Sequence, residues 1–233
     1  MIDFHTHLLP GIDDGSRNLE ETIKMLYEQY QQGVQKVVLT PHFYASRDSV
    51  DHFLKRRKES LNKVQKAVSG EKWKPELYAG AEVYYFPDIG NADTISKLCV
   101  ERTSVFLLEL PFCQWNRKIL EDVKKLIDGQ KLTVVLAHVE RYYEFQKNKE
   151  IWDKIMELPL YPQMNAGSFM NWKKRRLAFR ILKERGAILL GSDCHNMENR
   201  PPNLNDGRDV IRKKLGDELL KEIDDLGERI WQL

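Results

Sequence analysis

Imidazole and carboxylate side chains recur in this sequence at one kind of position, the end of a short apolar run. Read in order, the ends carry His5 and His7, His42, Glu82, Glu109, His138, Asn165, and finally Asp193 with His195. Five of the six histidines belong to this set; only His52, within a polar helix-like stretch, does not. A concentration of nitrogen and oxygen donors of this kind is what a cluster of divalent cations requires. His5 and His7 are two residues apart, so on a strand both side chains leave the same face and can share one ion. A lone His-x-His pair carries little weight. Glu82, Glu109 and the Asp193-Cys194-His195 triplet could each be satisfied by local hydrogen bonds or an ordinary turn. A carboxylate buried without a partner is costly, however, and together these positions point to a metal centre.

The elements that must bring them together are legible in the patterning. Seven short runs rich in Val, Leu and Ile, at Ile2–His7, Val37–Thr40, Leu77–Gly80, Val105–Leu110, Leu132–Ala137, Tyr161–Ala166 and Ala187–Gly191, alternate with charged stretches of helical period. The helix-like stretches include Leu19–Gln32, Asp48–Val68, Lys118–Asp128, Ile151–Glu157 and Lys173–Arg185. Asn18 with Glu21 reads as a capping box, and Gly33, Gly129 and Gly186 fall where left-handed C-caps are expected. Strands apolar on both faces and separated by helices imply a parallel α/β sheet, and seven such units in one domain imply a closed barrel. In such barrels the strand C-termini converge at one rim, where active sites form. The tail from about Arg208 reads as amphipathic helix packing on the barrel, so residues 1–233 form one domain in this reading.

Composition narrows the classes. The chain has 233 residues, 42% hydrophobic and 31% charged, which argues against intrinsic disorder. Thirty-seven Lys+Arg against 35 Asp+Glu leave a net charge of +2, and the candidate for a clustered basic stripe is Lys173-Lys174-Arg175-Arg176. A nucleic-acid partner is therefore not expected. Three cysteines, no N-terminal apolar segment and no run of membrane-spanning length lead us to expect a cytoplasmic protein without direct membrane insertion.

Several motifs together resemble the PHP (polymerase and histidinol phosphatase) superfamily. They are Met1-Ile2-Asp3-Phe4-His5-Thr6-His7, Thr40-Pro41-His42, Gly80-Ala81-Glu82, Leu108-Glu109-Leu110, Ala137-His138-Val139-Glu140-Arg141-Tyr142 and Ser192-Asp193-Cys194-His195-Asn196. More narrowly, Asp13-Asp14-Gly15, His138-Val139-Glu140-Arg141-Tyr142 and Arg200-Pro201-Pro202 resemble the metal-dependent protein-tyrosine phosphatases of bacterial capsule and exopolysaccharide operons. The resemblance runs from residue 1 to about residue 207. It implies a distorted TIM-like (β/α)7 barrel and three divalent ions, usually manganese, with iron or zinc also acceptable to such ligands. His5, His7, Glu82 and Asp193 would hold the first ion; Glu82, bridging, with Glu109 and His138 the second; Asp14, His42 and His195 the third. Arg141 and Arg200 match the family's phosphate-gripping arginines, a task for which the planar guanidinium fork is suited. The loop Phe43–Arg47 matches nothing and has no assigned role. By the same resemblance the substrate is a phosphotyrosine protein, the tail of a bacterial tyrosine kinase that controls polysaccharide export.

The reaction implied is attack on phosphorus by hydroxide held between two ions, with Arg141 and Arg200 neutralising the equatorial oxygens. A metal or a protonated His42 would assist the departing phenol. Cys194 and Arg200 also reproduce a Cys-x5-Arg spacing, the mark of cysteine-dependent phosphatases. That loop is disfavoured because the intervening residues include no glycine and Pro201-Pro202 follows the arginine. Cys99 and Cys113 read as packing residues. The competing functions are a histidinol-phosphate phosphatase, a metal-dependent nuclease, and a non-catalytic module that keeps the fold.

Overall fold

A computed structural model describes residues 1–232. Among the described residues nine strands are present: β1 (Ile2–Thr6), β2 (Lys36–Leu39), β3 (His42–Phe43), β4 (Glu76–Ala79), β5 (Glu82–Tyr84), β6 (Val105–Glu109), β7 (Thr133–Leu136), β8 (Tyr161–Asn165) and β9 (Leu189–Gly191). All pairings are parallel, in the orders β1-β2-β4 and β3-β5-β6-β7-β8-β9. The nine are seven staves, because two staves are interrupted. β2 and β3 are separated by Thr40-Pro41, where proline has no N–H to give the ladder, and β4 and β5 by Gly80-Ala81. The ring closes where the Asp193 N–H donates to the His5 carbonyl (2.8 Å) and the His7 N–H donates to the Cys194 carbonyl (2.9 Å). The expected seven-stave α/β barrel is thus the observed architecture.

Alternate residues of each stave enter different apolar clusters, which is why the runs are apolar on both faces. Val37 and Leu39, Phe106 and Leu108, and Val134 and Leu136 join the large cluster under the helices. Val38, Leu107 and Val135 join a smaller one with Ile2, Phe4 and Leu189. The helices are α1 (Leu19–Gln31), α2 (Val50–Ala67), α3 (Arg117–Lys124), α4 (Glu150–Met156), α5 (Gly167–Met170), α6 (Arg175–Arg185), α7 (Leu204–Leu215) and α8 (Asp217–Ile230). The tail is therefore two helices broken at Gly216, whose φ of 89° favours glycine. Arg208 of α7 grips Asp224 of α8 with two hydrogen bonds of 2.8 and 2.7 Å, and Trp231 packs edge-on against Phe4 and Tyr78.

Two capping expectations are corrected. Asn18 does accept the Glu21 N–H (3.0 Å), but the Glu21 carboxylate takes the Arg17 N–H (2.8 Å) and guanidinium rather than returning to Asn18. Gly33 and Gly186 have positive φ, whereas Gly129 does not. There α3 widens into a π-turn over Lys125–Gly129, so the left-handed residue is displaced to Lys131.

Candidate metal centre

Every histidine and carboxylate singled out at a run's end reaches one rim of the barrel. His5 lies on β1 and His7 just beyond it; His42 opens β3 and pairs in register with Glu82, which opens β5. Glu109 ends β6, His138 follows β7, and Asp193 and His195 follow β9. Asp14 comes from the loop between β1 and α1 and is the exposed member.

Glu82 is the hub. Its Oε2 lies 3.1 Å from His5 Nε2, 3.2 Å from His7 Nε2 and 3.0 Å from His42 Nδ1, while Oε1 lies 2.9 Å from His138 Nε2. Asp193 Oδ1 lies 3.5 Å from His5 Nε2 and 3.4 Å from His7 Nε2. Glu109 lies 3.5 Å from His138 and 3.9 Å from His42. Asp14 Oδ1 is 3.5 Å from His42 Nε2 and 3.6 Å from His195 Nε2. Three donor groups emerge: His5, His7 and Asp193; His42, Glu82 and Glu109; and His7, Asp14, His42 and His195. The middle group differs from the set implied by resemblance in holding His42, with His138 directed at the same two glutamates.

These donors fit cations better than one another. Glu82 Oε2, His42 Nδ1 and His195 Nε2 are buried and lack any hydrogen-bond partner. Each such orphan costs about 1–3 kcal/mol, which a coordinated ion removes. The electrostatics agree. Burial alone would raise the Glu82 and Asp193 carboxyls, but the surrounding histidines, with Arg200 beside Asp193, hold both well below the usual range. Burial pushes His7 down, yet Asp13 beside it more than compensates and lifts it well above an ordinary imidazole. His138, also desolvated, is lifted to about 9 by Glu109 and Glu82.

Sequence reasoning missed the residues that aim the ligands. Asp13 Oδ2 accepts from His7 Nδ1 (2.7 Å) and from the His42 N–H (2.9 Å), which turns the His7 Nε2 lone pair inward. A Cβ on Gly15 would stand 2.2 Å from the His7 carbonyl oxygen, so only glycine lets the Asp13 loop lie on β1. Gln163 Oε1 pairs with His5 Nδ1 (3.1 Å) and accepts from the His138 N–H (2.8 Å). Its amide donates to Asn165 (3.1 Å), which donates in turn to Asp193 Oδ2 (2.7 Å). Asn165, noted at a run's end, is thus a positioning residue. Gln163 and Asn165 alternate on β8, and that alternation of polar side chains in a buried strand was the available signal.

Arg141 and Arg200 meet on the outer oxygen of Asp193, at 3.6 and 2.7 Å, with their side chains 36% and 41% exposed. Asn196 shapes the Arg200 loop: its Oδ1 accepts the N–H groups of Glu198, Asn199 and Arg200 at 3.0, 2.8 and 3.1 Å. Those amides are therefore unavailable as a phosphate cradle. Cys194 is wholly buried, its thiol pushed up to about 12 by burial and by Asp3, so the Cys-x5-Arg spacing is a coincidence of sequence. Cys99 is buried as expected, but Cys113 is exposed, in the turn after β6. Beyond His42 the Phe43–Arg47 loop supplies a mouth: Tyr44 lies 5.3 Å from the His42 ring and 5.5 Å from Tyr84, with Arg47 over its face. Tyr44 and Arg47 border a cavity of about 350 Å³ that Asp14 and His42 also line.

The described residues 1–225 match the capsular polysaccharide synthesis CpsB/CapC family. The chain belongs to that family. It is 27% identical over 243 residues to the tyrosine-protein phosphatase CpsB of Streptococcus pneumoniae, covering 96% of this chain and 94% of that protein. It is 25% identical to the tyrosine-protein phosphatase YwqE of Bacillus subtilis, covering 94% and 87%. A chain from the crystal structures of YwqE and CpsB, described as metal-dependent tyrosine phosphatases, superposes with a TM-score of 0.86 at 23% identity, over 100% of this chain and 94% of that one. HisK of Listeria monocytogenes, a proposed histidinol phosphatase, superposes at 0.51 with 14% identity, over 84% of this chain and 95% of that one, a likeness of fold. The CpsB/CapC membership bears out the narrower resemblance drawn from the Asp13, His138 and Arg200 motifs. Among the described residues no helix is long and apolar enough to cross a membrane.

Proposed function

We propose that this CpsB/CapC protein is a metal-dependent protein-tyrosine phosphatase acting on a phosphotyrosine protein of a capsule or exopolysaccharide system. The observation that carries this reading is the meeting of two kinds of group on Asp193. One carboxylate oxygen faces the His5–His7 donors, and the other faces Arg141 and Arg200. A phosphoryl group set there has cation-binding residues on one side and two guanidinium forks on the other. The family's named phosphatases support the choice of phosphotyrosine.

His5, His7, Glu82 and Asp193 would hold one ion in this assignment, Glu82, Glu109 and His138 a second, and Asp14, His42 and His195 a third. The donor set of imidazole and carboxylate suits manganese, iron or zinc. Divalent cations there supply Lewis-acid neutralisation of phosphoryl oxygens and acidify water. The chain's own residues do the rest. Arg141 and Arg200 orient the ester and hold the equatorial oxygens as charge builds. Asp13 and Gln163 fix the tautomers of His7 and His5. His42 has both ring nitrogens directed at carboxylates, so we keep it in the ligand set and give it no proton transfer. Tyr44 and Tyr84 supply an aromatic wall for the substrate's phenyl ring, which leaves as a phenolate of pKa about 10 and needs little protonation.

Purified protein with manganese, assayed on a phosphotyrosyl peptide, histidinol phosphate and single-stranded DNA, tests the reading. Phosphate release from the peptide, abolished by chelation, is expected. Turnover of histidinol phosphate or DNA in preference to the peptide would overturn it.

A further inference from the structure

A second surface, along the helix α6 that follows β8 and α5, is strongly cationic, and nothing in the metal centre uses it. Residues 173 to 185 carry seven cations against the single Glu184, a local excess of six in a chain whose net charge is +2. The remainder of the chain is therefore net negative. The Lys173–Arg176 run, Arg180 and Lys183 are exposed, and Lys214 at the end of α7 faces the same groove. Some cations elsewhere are paired, as Lys24 is with Glu20, Lys118 with Asp88 and Lys154 with Glu150. Here no carboxylate pairs with any of them among the described residues. Their neighbours are rings: Arg180 over Tyr143 at 4.7 Å, Lys173 over Trp172 at 5.4 Å and Lys214 over Phe179 at 4.3 Å. Trp172 is 75% exposed, the most exposed large hydrophobic side chain described.

Two contacts fix this surface beside the phosphate arginines. Tyr143, under Arg180, stands two residues beyond Arg141. α5, which leads into Trp172, is tied to the rim where Ser168 Oγ donates to Glu140 at 2.7 Å. The open groove between α6 and Lys214 has a volume of about 560 Å³, with Trp172 and Phe179 as its apolar wall and Arg175, Arg176 and Arg180 lining it beside the single carboxylate Glu184.

We propose that this groove docks an acidic polypeptide segment of the substrate protein, apart from the phosphotyrosine held at the metal centre. The substrate half of this statement rests on the function proposed above; the affinity for acidic polypeptide does not. Guanidinium forks in a concave groove match carboxylates along an extended chain, and an exposed tryptophan among arginines has the composition of an interface anchor. An anionic membrane would be met by a convex apolar projection, and here only Trp172 and Met170 stand out.

The test is binding of a fluorescein-labelled oligoglutamate peptide to the full chain, followed by anisotropy. The double variant K173E/R176E should bind at least about tenfold more weakly and Trp172→Ala about three- to tenfold more weakly, both melting like wild type because these side chains are exposed. Raising sodium chloride from about 50 to about 300 mM should weaken wild-type binding about tenfold. On substrates, kcat/KM for a phosphotyrosyl peptide with a glutamate-rich extension should fall about tenfold in K173E/R176E, while turnover of p-nitrophenyl phosphate stays unchanged. Equal peptide binding by wild type and K173E/R176E overturns the groove, as does capture of phosphatidylserine vesicles or DNA in place of the peptide. Peptide binding that K173E/R176E abolishes, in a protein inactive on phosphotyrosine, leaves the groove standing and removes the proposed function instead.

Discussion

Stripping the metal should make stability fall as pH rises. With cations removed, the buried carboxylates of the centre are neutralised by protonated imidazoles, and those protons leave in the alkaline range. His138 shows it best. Its folded pKa of about 9 lies above the ordinary imidazole value of 6.5, so its contribution is fully present below pH 6.5 and is lost as pH climbs through about 9. That span corresponds to about 3 kcal/mol at about 1.4 kcal/mol per unit. His7, lifted well above 6.5 by Asp13, acts in the same direction. Glu82 and Asp193 are held low, so their contribution is lost only as pH falls far below this window. His195 is lowered by burial and withdraws stability only below about 6.5.

For a chain of this length, about 3 kcal/mol is about 6–12 °C in Tm. The chelator-treated protein should therefore melt about 6–12 °C lower at pH 9 than at pH 6.5. The manganese-loaded protein should not follow, because the cation takes deprotonated ligands and binds more tightly as pH rises. Scanning fluorimetry of both forms at several pH values decides the matter. A flat Tm for the stripped protein, or an equal fall in both forms, would refute the exchange of protons for metal.

Asp13→Asn keeps an acceptor for only one side of the carboxylate, setting an amide N–H against either Gly15 or the His7–His42 pair, so manganese affinity should drop about 10- to 100-fold in a chelator competition titration. Arg141→Ala and Arg200→Ala should leave metal content by elemental analysis unchanged while kcat/KM falls about 30- to 1,000-fold, or about 2–4 kcal/mol; kinetics near wild type would mean that the phosphate pocket lies elsewhere. Cys194→Ser should retain most activity, and native Cys194 should resist iodoacetamide until the protein unfolds, given a buried thiol pushed up to about 12. Glu82→Gln removes charge and one oxygen ligand from the hub, so bound manganese per chain should fall together with turnover.

How far the sequence could be read depended on whether the signal was local. The staves were legible because parallel strands buried on both faces leave continuous apolar runs, and the candidate ligands other than Asp14 because they stand at the ends of those runs; Asp14 came from the motif resemblance alone. The interruptions at Pro41 and Gly80 were invisible as breaks, since the hydrogen bonds continue across them to neighbouring staves: the Gly80 N–H donates to the Leu39 carbonyl and the Glu82 N–H to the Pro41 carbonyl. Asp13 was read only as part of a motif. Its pairing with His42 spans 29 residues and depends on the Gly15 approach to β1, which spacing does not reveal. Gly129 failed as a C-cap because the π-turn moved the helix exit by two residues, an event decided by packing. The Arg180–Tyr143 stacking that ties the basic run to the rim joins two elements and could come only from the fold.

Two of the candidate ligands, His138 after β7 and Asp193 after β9, share a feature that bears on how the centre is held. His138 and Asp193 have φ of 30° and 53°, left-handed values that a non-glycine side chain adopts at a cost of about 1–3 kcal/mol. Each is locked by its own main-chain N–H, that of His138 donating to Gln163 and that of Asp193 to the His5 carbonyl, both at 2.8 Å. The same Gln163 orients His5 and, through Asn165, the outer oxygen of Asp193. One amide side chain on β8 therefore sets the His5 imidazole, the His138 main chain and the carboxylate shared with Arg200. Strain retained at those two positions, over-determined by a single network, is what preorganisation requires: the donors are aimed before a cation or a phosphoryl group arrives, and little reorganisation is left for the reaction itself.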